Sequence, residues 1–494
     1  MSDRSPARET RVYSSRPRKL LSWAFVFPPE PPFPMNTDFS SLPLPPELLT
    51  NLDTLGYTAM TPIQAQALPP VLAGRDLLAQ AQTGSGKTAA FGIGLLARLN
   101  PRLFGVQALV LCPTRELADQ VTQELRRLAR ATPNIKLVTL VGGTPIGPQL
   151  ATLEHGAHIV VGTPGRVLQH IERGSLPPQH LVALVLDEAD RMLDMGFSDE
   201  IDAIIAALPT ARQTLLFSAT YPEAIEAMSA HVLRDPATVR VEGEPGQALQ
   251  ITQRFYEVNK GQRTRALVGL LVEYRPQSCI VFCNTKQQTT ELAEELAALG
   301  FYARALNGDL EQRERDRVLA QFANGSTAIL VATDVAARGI DIKELDLVIN
   351  YELPHDPEIH VHRIGRTGRA GEKGVALSLF LASEAPRVVA IESYTGEKLE
   401  YGTVKLVDDL AGMSLKPLMV TLQIDGGRKD KVRPGDIVGA LTGAGGIPAK
   451  QVGRIAVFDQ HAYVAVERPV ARQALQILSE GKVKGRRFKA RRLH

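Results

Sequence analysis

Leu181-Val182-Ala183-Leu184-Val185-Leu186-Asp187-Glu188-Ala189-Asp190 is the stretch that decides the fold. Its apolar run does not alternate with polar residues, so it predicts a strand buried on both faces, as in a parallel sheet between helical layers. Acidic residues follow directly and would lie at the carboxyl end of the strand, where open α/β sheets bind ligands. The stretch therefore predicts an α/β fold with an acidic site at one edge of its sheet.

Upstream lies a glycine-rich segment, Ala81-Gln82-Thr83-Gly84-Ser85-Gly86-Lys87-Thr88. Such a loop is typical of sites where backbone N–H groups and a lysine hold nucleotide phosphates. Lys87 would hold the phosphates, and Thr88 with Asp187 would bind Mg²⁺. Glu188 would orient or deprotonate the attacking water. The two segments together predict ATP hydrolysis.

Length and composition limit the number of domains, the membrane topology and the compartment. The 494 residues predict two to four domains, and a hydrophobic content of 44% is enough for packed cores. The sequence has no apolar run of the roughly 20 residues that span a bilayer. The cysteines, Cys112, Cys279 and Cys283, fit neither a disulfide framework nor a zinc site, so we expect a reducing, cytoplasmic location.

Positive charge is concentrated at one end of the chain. The net charge is +3, but residues 417–494 carry 15 Lys and Arg against 6 Asp and Glu, a net charge of +9, which leaves −6 for the rest. A basic module on a mildly acidic body predicts a polyanionic partner that is held by its own domain.

The composition divides the chain into five segments. We expect an unstructured extension, a first α/β block, a second α/β block, a linker and a third folded unit, at 1–37, 38–242, 247–400, 401–416 and 417–494. The arginine- and proline-rich extension precedes Met35, which we interpret as the natural start.

Both blocks alternate apolar runs with helical segments. The clearest predicted strands are Ala108–Leu111, His158–Val161, Val182–Leu186 and Thr214–Phe217 in the first block, and Ile280–Phe282, Ala328–Val331, Leu345–Ile349 and Val375–Leu379 in the second. In both blocks polar clusters follow the strands directly. Two parallel sheets with facing carboxyl edges would form a cleft that can open and close.

The third unit reads strand, helix, strand, strand, helix, strand. The predicted elements are Met419–Ile424, Asp436–Leu441, Gly453–Phe458, Ala462–Val466, Val470–Leu478 and Arg487–Leu493. This order is that of the RNA-recognition motif, a small α+β fold.

From Phe39 to about Phe380 the chain resembles the DEAD-box ATP-dependent RNA helicases. The phosphate loop and Asp187 to Asp190 carry the resemblance, with Ala81 where the generic loop has its first Gly. It implies two tandem RecA-like domains, and ATP with Mg²⁺ as cofactors. Phe39, Tyr57 and Gln64 resemble the adenine-binding element, in which the Gln64 amide reads the base and Phe39 offers a ring to stack on it. Met60 stands where a proline is common.

The second block contains His362-Arg363-Ile364-Gly365-Arg366-Thr367-Gly368-Arg369, which resembles the arginine motif of the same family. The resemblance implies that Arg366 and Arg369 reach the γ-phosphate when the cleft closes. It implies that Asp341 binds the ribose hydroxyl. Asp190, Ser218, Thr220 and His362 would couple the ATP site to the RNA side.

The resemblance also implies RNA contacts at the strand ends, through backbone and shape rather than sequence. For each Thr or Arg taken alone, the alternative interpretation is a helix cap. They are Pro113, Thr114, Arg115, Gly142, Gly143, Thr163, Pro164, Gly165, Arg166, Asn284, Thr285, Gln312, Arg315 and Thr333.

The third unit resembles the RNA-binding domain of the DbpA-type bacterial helicases. Its third strand offers only Tyr463 for stacking, so recognition would depend on basic residues, namely Arg428, Lys429, Lys431, Arg433 and the tail 482–492. The resemblance implies a hairpin of large-subunit (23S-type) ribosomal RNA as target. The alternative is electrostatic tethering to any RNA.

The sequence thus predicts a monomeric ATP-dependent RNA helicase, without a membrane partner, that remodels ribosomal RNA during large-subunit assembly. One alternative is a DNA-directed helicase or translocase on the same two-domain core. The other is a general RNA chaperone or clamp that remodels RNA without specific targeting.

Overall fold

The computed structural model describes residues 37–81, 84–241, 251–337, 345–368, 374–406, 415–443 and 445–493. Several predicted features lie outside the described residues. These are the extension up to residue 36 with Met35, most of the boundary near 243–246, and the site residues Gln82, Thr83, Asp341 and Arg369.

The first block forms a seven-stranded sheet with helices along the chain between its strands. Its strands are β1 (Leu77–Gln80), β2 (Ala108–Leu111), β3 (Leu137–Leu140), β4 (Ile159–Gly162), β5 (Ala183–Leu186), β6 (Gln213–Ser218) and β7 (Ala237–Arg240). Its helices are α1 (Pro46–Thr54), α2 (Pro62–Leu72), α3 (Lys87–Arg98), α4 (Arg115–Leu128), α5 (Gly147–Glu154), α6 (Pro164–Glu172), α7 (Ala189–Asp194), α8 (Ser198–Ala207) and α9 (Glu223–Val232).

The second block forms another seven-stranded sheet. Its strands are β8 (Ile251–Glu257), β9 (Cys279–Phe282), β10 (Ala303–Leu306), β11 (Ile329–Ala332), β12 (Leu347–Asn350), β13 (Gly374–Phe380) and β14 (Glu400–Gly402). Its helices are α10 (Arg263–Tyr274), α11 (Lys286–Ala298), α12 (Gln312–Ala323), α13 (Asp334–Ala337), α14 (Pro357–Ile364) and α15 (Ala385–Thr395).

The two sheets are built in the same way. Their strand orders, β3-β4-β2-β5-β6-β1-β7 and β10-β11-β9-β12-β13-β8-β14, are the same order shifted along the chain, and each printed pairing is parallel. The central strands β2, β4, β5, β9, β11 and β12 are buried at every residue. The prediction of two doubly covered parallel sheets is therefore confirmed.

The third unit is a four-stranded antiparallel sheet with two helices, in the order β16-β17-β15-β18. The elements are β15 (Met419–Ile424), α16 (Pro434–Thr442), β16 (Val452–Val457), β17 (Ala462–Glu467), α17 (Ala471–Glu480) and β18 (Ala490–Arg492). The predicted order of elements is confirmed. The last strand, Ala490–Arg492, is shorter than the predicted Arg487–Leu493. Before it, the Phe488 ring packs against Gly426 and leaves no room for a Cβ there.

One boundary differs from the prediction. Tyr401 and Gly402, expected in the linker, continue β14, which pairs with β8 at the edge of the second sheet. Gly402 has no room for a Cβ because the Tyr256 ring lies against it, and this close approach extends the strand. Within the described part of the chain, every helix is too short or too polar to cross a lipid bilayer.

Candidate active site and nucleic-acid interface

The glycine-rich loop joins β1 to α3. Gly86 occupies the position before α3 with φ +98°, and a Cβ there would lie 2.6 Å from the Gln64 Nε2 atom, so only glycine fits. The N–H groups at the start of α3 have no partner within the helix, and such helix starts bind anions. The loop geometry therefore suits a phosphate group.

Lys87 lies in the first turn of α3 and is only 6% exposed. Its Nζ donates a hydrogen bond to the carbonyl oxygen of Ala81 at 2.9 Å, so the ammonium group is held beside the loop. Thr88 is the next residue of the helix. The sequence placed both residues at the phosphates, and the fold brings both to the mouth of the loop.

Asp187 follows β5 and is 3% exposed. Its Oδ1 atom is buried and makes no hydrogen bond with any described residue. Burial raises the pKa of Asp187 to about 7, while the charge of Lys87 opposes this rise. A buried carboxylate oxygen without a donor is costly, and a bound cation would remove the cost. The chemistry of this oxygen fits a magnesium ligand.

Glu188 is the neighbouring acid and has φ +55°, which is rare for a residue with a side chain. Its carboxylate forms an ion pair with Arg191, with 2.6 Å between Oε2 and Nη1, and both side chains are almost fully buried. Sequence reasoning missed Arg191. The available signal was its position three residues after Glu188, the spacing at which two side chains meet on a helix.

Asp190 is tied to the segment after β6. Its Oδ2 accepts hydrogen bonds from the Thr220 hydroxyl and from the N–H groups of Ala219 and Thr220, at 3.0 to 3.1 Å. Burial disfavours the ionised carboxylate, but the Arg191 charge and these hydrogen bonds outweigh it and lower the pKa of Asp190. The Ser218 hydroxyl donates to the carbonyl oxygen of Thr220 at 2.6 Å, which closes the turn.

The same turn reaches the second domain. Glu358 on α14 lies beside Thr220: burial raises the pKa of Glu358, and the Thr220 side chain opposes the rise. His362 lies one turn further along this helix and lines a small cavity together with Arg366 and with Arg191 of the first domain. Glu358 was not identified from the sequence, because only the fold brings it to Thr220.

Arg363, inside the arginine motif, has a structural role. Its guanidinium is 1% exposed and contacts both carboxylate oxygens of Asp334 at 2.6 and 2.8 Å. It also donates to the side-chain oxygens of Asn350 and Asn284 and to the carbonyl oxygen of Glu352. Arg363 and Arg366 both line the cavity shared with Arg191, but the guanidinium of Arg363 is held by these partners within the second domain.

We expect Arg363→Met to destabilise the second domain by about 3 kcal/mol, because it leaves the partly buried Asp334 without its cation. Urea unfolding would measure the change. Arg387→Met is the matched control, since Arg387 is more exposed and its change should cost less than about 1 kcal/mol. Equal losses for the two variants would contradict the role of Arg363.

The predicted adenine element is packed more tightly than the sequence suggested. The Phe39 ring is 5% exposed and lies edge-on to Tyr57, with 6.2 Å between ring centroids. The Gln64 amide accepts from the N–H of Thr61 and donates to the carbonyl oxygen of Gly86, at 3.0 and 3.2 Å. Thr61, three residues before Gln64, has a buried hydroxyl without a partner among the described residues. These groups converge beside the phosphate loop.

Several predicted RNA residues bridge the two sheets. Arg115 Nη1 donates to Gln312 Oε1 at 2.7 Å, and Arg315 forms an ion pair with Glu116. A second nitrogen of Arg315 donates to the carbonyl oxygen of Ala336 at 2.9 Å. The carboxyl edges of the two sheets therefore face each other in a closed arrangement.

Other predicted RNA residues have local partners. The hydroxyls of Thr114 and Thr285 accept from backbone N–H groups and cap α4 and α11, as the alternative interpretation expected. Asn284 accepts from Arg363 and donates to the carbonyl oxygen of Leu353. Thr163 and Pro164 begin α6, and Thr333 directly precedes α13. A threonine hydroxyl that caps a helix accepts a hydrogen bond, so its own proton can still be donated to a phosphate.

The basic residues of the third unit form an exposed loop. Arg428, Lys429, Lys431 and Arg433 are all exposed, and the tail meets the loop where Lys484 donates to the carbonyl oxygen of Lys431 at 2.7 Å. The loop lies near α4 of the first domain, where burial raises the pKa of Asp119 and the charge of Arg428 opposes the rise.

The sheet of the third unit packs on the second domain. Tyr463 is 1% exposed and clusters with Leu493 and with Ala320 of α12. The Thr421 hydroxyl lies 2.6 Å from that of Ser326 and accepts from the Asn324 amide at 3.1 Å. In this arrangement the Tyr463 ring is not open to a nucleobase, which agrees with recognition by the basic loop.

Three family descriptions match consecutive parts of the chain: DEAD/DEAH box helicase at residues 61–228, helicase conserved C-terminal domain at 262–371, and DbpA RNA binding domain at 421–492. The Escherichia coli (strain K12) protein named ATP-dependent RNA helicase DbpA is 53% identical over 92% of this chain and 100% of its own length. The Bacillus subtilis (strain 168) protein of that name is 39% identical over 91% of this chain and 98% of its own length.

Among solved structures, S. cerevisiae Dbp5 bound to RNA and ADP BeF3 is similar, both as a single-residue variant and without this substitution, each with a TM-score of 0.68 and 34% sequence identity. The similarity covers 74% of this chain and 96% of each of those chains.

Proposed function

This chain belongs to the DEAD-box ATP-dependent RNA helicases of the DbpA type, and we propose that it remodels structured ribosomal RNA during assembly of the large ribosomal subunit. Members of this family are RNA-dependent ATPases. The observation that carries the proposal is the position of the basic loop of the third unit beside α4, whose first residue, Arg115, lies in the cleft. RNA held by the loop would enter the cleft directly.

The ATP site would work as follows. Lys87 and the start of α3 would hold the phosphates, and Thr88 with Asp187 would hold Mg²⁺, which would supply positive charge against the phosphate oxygens. The buried Asp187 Oδ1 supports this ligand assignment, and Mg²⁺ suits it because this ion commonly takes one or two carboxylates and completes its shell with phosphates and water.

RNA would lie across both sheets at their carboxyl edges. In the first domain, Arg115, Arg166 and the N–H groups around Gly142 and Gly143 would contact the RNA backbone. In the second, Arg315 would do so from α12. At the same edge, Glu358 of the second domain lies beside Thr220, whose hydroxyl donates a hydrogen bond to Asp190. Closure around RNA would thereby complete the ATP site, since Arg366 comes from the second domain.

The structure of Dbp5 with RNA and ADP BeF3 supports this arrangement, because the chain matches almost all of that protein. We place the activity in the cytoplasm, where bacterial ribosomes assemble. One chain supplies both sides of the cleft, which supports action as a monomer.

The target would be tested by measuring ATP hydrolysis with total ribosomal RNA, with poly(A), and with ribosomal RNA plus an excess of isolated large-subunit hairpin. Strong stimulation by ribosomal RNA, removed by the hairpin, is expected. Equal stimulation by every RNA would favour the alternative, a general RNA chaperone or clamp. Equal stimulation of ATP hydrolysis by single-stranded DNA would instead favour the other alternative, a DNA-directed helicase or translocase.

We expect the double variant Arg428→Glu/Lys431→Glu to raise at least tenfold the ribosomal RNA concentration that gives half-maximal ATPase activity. The loss of phosphate contacts should also reduce the slope of log affinity against log salt by about one unit for each contact removed. The response to poly(A) should change little, because the core binds that RNA.

Lys450→Glu/Arg472→Glu is the matched control for this variant. Both residues are exposed, lie in the same unit and give the same change of net charge. If the control weakens the response to ribosomal RNA equally, the domain acts as a general electrostatic tether.

A further inference from the structure

Gln149 lies between two segments that the proposed function assigns to RNA. It belongs to α5 and is 9% exposed. Its Nε2 atom donates to the carbonyl oxygen of Val141 at 3.0 Å and to the Thr144 hydroxyl at 2.8 Å. These two residues flank Gly142 and Gly143, so one amide group holds both ends of the glycine turn.

The amide oxygen of Gln149 holds the second segment. It accepts from Arg166 Nη1 at 3.2 Å and from His170 Nε2 at 3.1 Å, both on α6. Arg166 Nη2 also donates to the carbonyl oxygen of Thr144 at 3.1 Å. A side-chain amide has two donor positions and two acceptor positions, and here all four are used.

The orientation of this amide is determined by its partners. With the oxygen and nitrogen exchanged, the oxygen would face the carbonyl oxygen of Val141, and two acceptors would be opposed. The oxygen needs donors, so His170 carries its proton on Nε2, and its Nδ1 atom lies 2.8 Å from the Ser175 hydroxyl. Burial and the charges of Arg166 and Arg173 lower the pKa of His170, which favours this neutral form.

The glycine turn is also in contact with Arg115. Gly143 has φ +69°, and a Cβ there would overlap the Arg115 guanidinium. The turn, Arg166 and Arg115 therefore form one connected group. Gln149 is the residue through which the turn and Arg166 are joined.

We propose that Gln149 and His170 are positioning residues that preorganise the RNA-backbone contacts of the first domain. The inference rests on the proposed function, since it takes Arg166 and the glycine turn to bind RNA. Neither positioning residue needs to touch RNA. By fixing the turn and the guanidinium before binding, they reduce the ordering that binding would otherwise require.

The test is RNA-stimulated ATP hydrolysis by Gln149→Leu, a variant of similar volume that loses all four hydrogen bonds. The RNA concentration for half-maximal activity should rise about tenfold. The rate at saturating RNA and the KM for ATP should stay within about twofold of the unsubstituted protein, because a merely destabilised fold would lower the rate instead.

Asn51→Leu is the matched control. Asn51 is 5% exposed and donates to the carbonyl oxygens of Arg127 and Leu128 at 3.1 and 2.8 Å, at the end of α4 away from Arg115. The Asn51→Leu change removes a buried amide of the same domain without affecting the glycine turn or α6. Thermal melting of both variants would identify a temperature at which each is folded.

His170 offers a second, conservative pair of variants. His170→Phe removes the donor to Gln149 and should weaken RNA binding, whereas His170→Gln keeps a side-chain donor and should restore part of it. The inference is overturned if Gln149→Leu and His170→Phe need no more RNA than Asn51→Leu. If the unsubstituted protein shows no response to RNA, the proposed function itself fails.

Discussion

Glu188→Gln is expected to abolish ATP turnover and to leave ATP binding intact. The Glu188 carboxylate follows Asp187 and is fixed by Arg191 at 2.6 Å, in a backbone conformation that costs about 1–3 kcal/mol and persists only where its surroundings hold it. Glutamine keeps the shape and can still accept from Arg191, but it cannot take a proton from water. A general base contributes about 10²- to 10⁴-fold, so kcat should fall at least a hundredfold.

Binding of a fluorescent ATP analogue would measure the affinity, and phosphate release would measure turnover. Glu124→Gln is the matched control, because Glu124 accepts from the Tyr57 hydroxyl at 2.6 Å and glutamine preserves that acceptor far from the acidic site. Normal phosphate release by Glu188→Gln would contradict the assignment of Glu188 as the general base. Loss of ATP binding would instead assign it to nucleotide affinity.

The central strands were predictable because they are buried on both faces. The sequence of a strand such as β5 is an unbroken apolar run. Such a run is typical of a strand in a parallel sheet that helices cover on both faces. The edge strands β3, β7 and β10 have mixed burial and one neighbour fewer, so their sequences carry a weaker signal and were missed. Once the apolar run of β5 was recognised, the acids that follow it could be placed at the carboxyl end of the strand.

Partners distant in the chain were not predictable. Arg363 and Asn284 are 79 positions apart, and Thr220 meets Glu358 across the cleft, so only the assembled fold brings each pair together. Gln149 belongs to no recognised motif, and its importance depends on hydrogen bonds to two segments that are distant along the chain. Sequence patterns report neighbours along strands and helices, while these contacts depend on how the elements pack.

Arg366→Lys is expected to lower kcat about a thousandfold, with the KM for ATP little changed. Arg366 is 6% exposed and lines the same cavity as Arg191 of the first domain, so it approaches the ATP site only from the opposite side of the cleft. Charge spreads over the phosphoryl oxygens in the transition state, and an arginine supplied there contributes about 10³- to 10⁵-fold. Lysine keeps the charge but loses the planar fork that matches two oxygens.

Arg387→Lys is the control for Arg366→Lys, because Arg387 lies on α15 and contacts Glu384 and the carbonyl oxygen of Leu353. Turnover by Arg366→Lys within threefold of the unsubstituted protein would contradict the catalytic role of Arg366.

The double variant Glu188→Gln/Arg366→Lys gives a sharper test. If both residues act on one transition state assembled by closure, the double variant should be hardly slower than the slower single variant, since groups that act as a unit are strongly non-additive. Fully multiplicative losses would mean that the two residues serve separate steps.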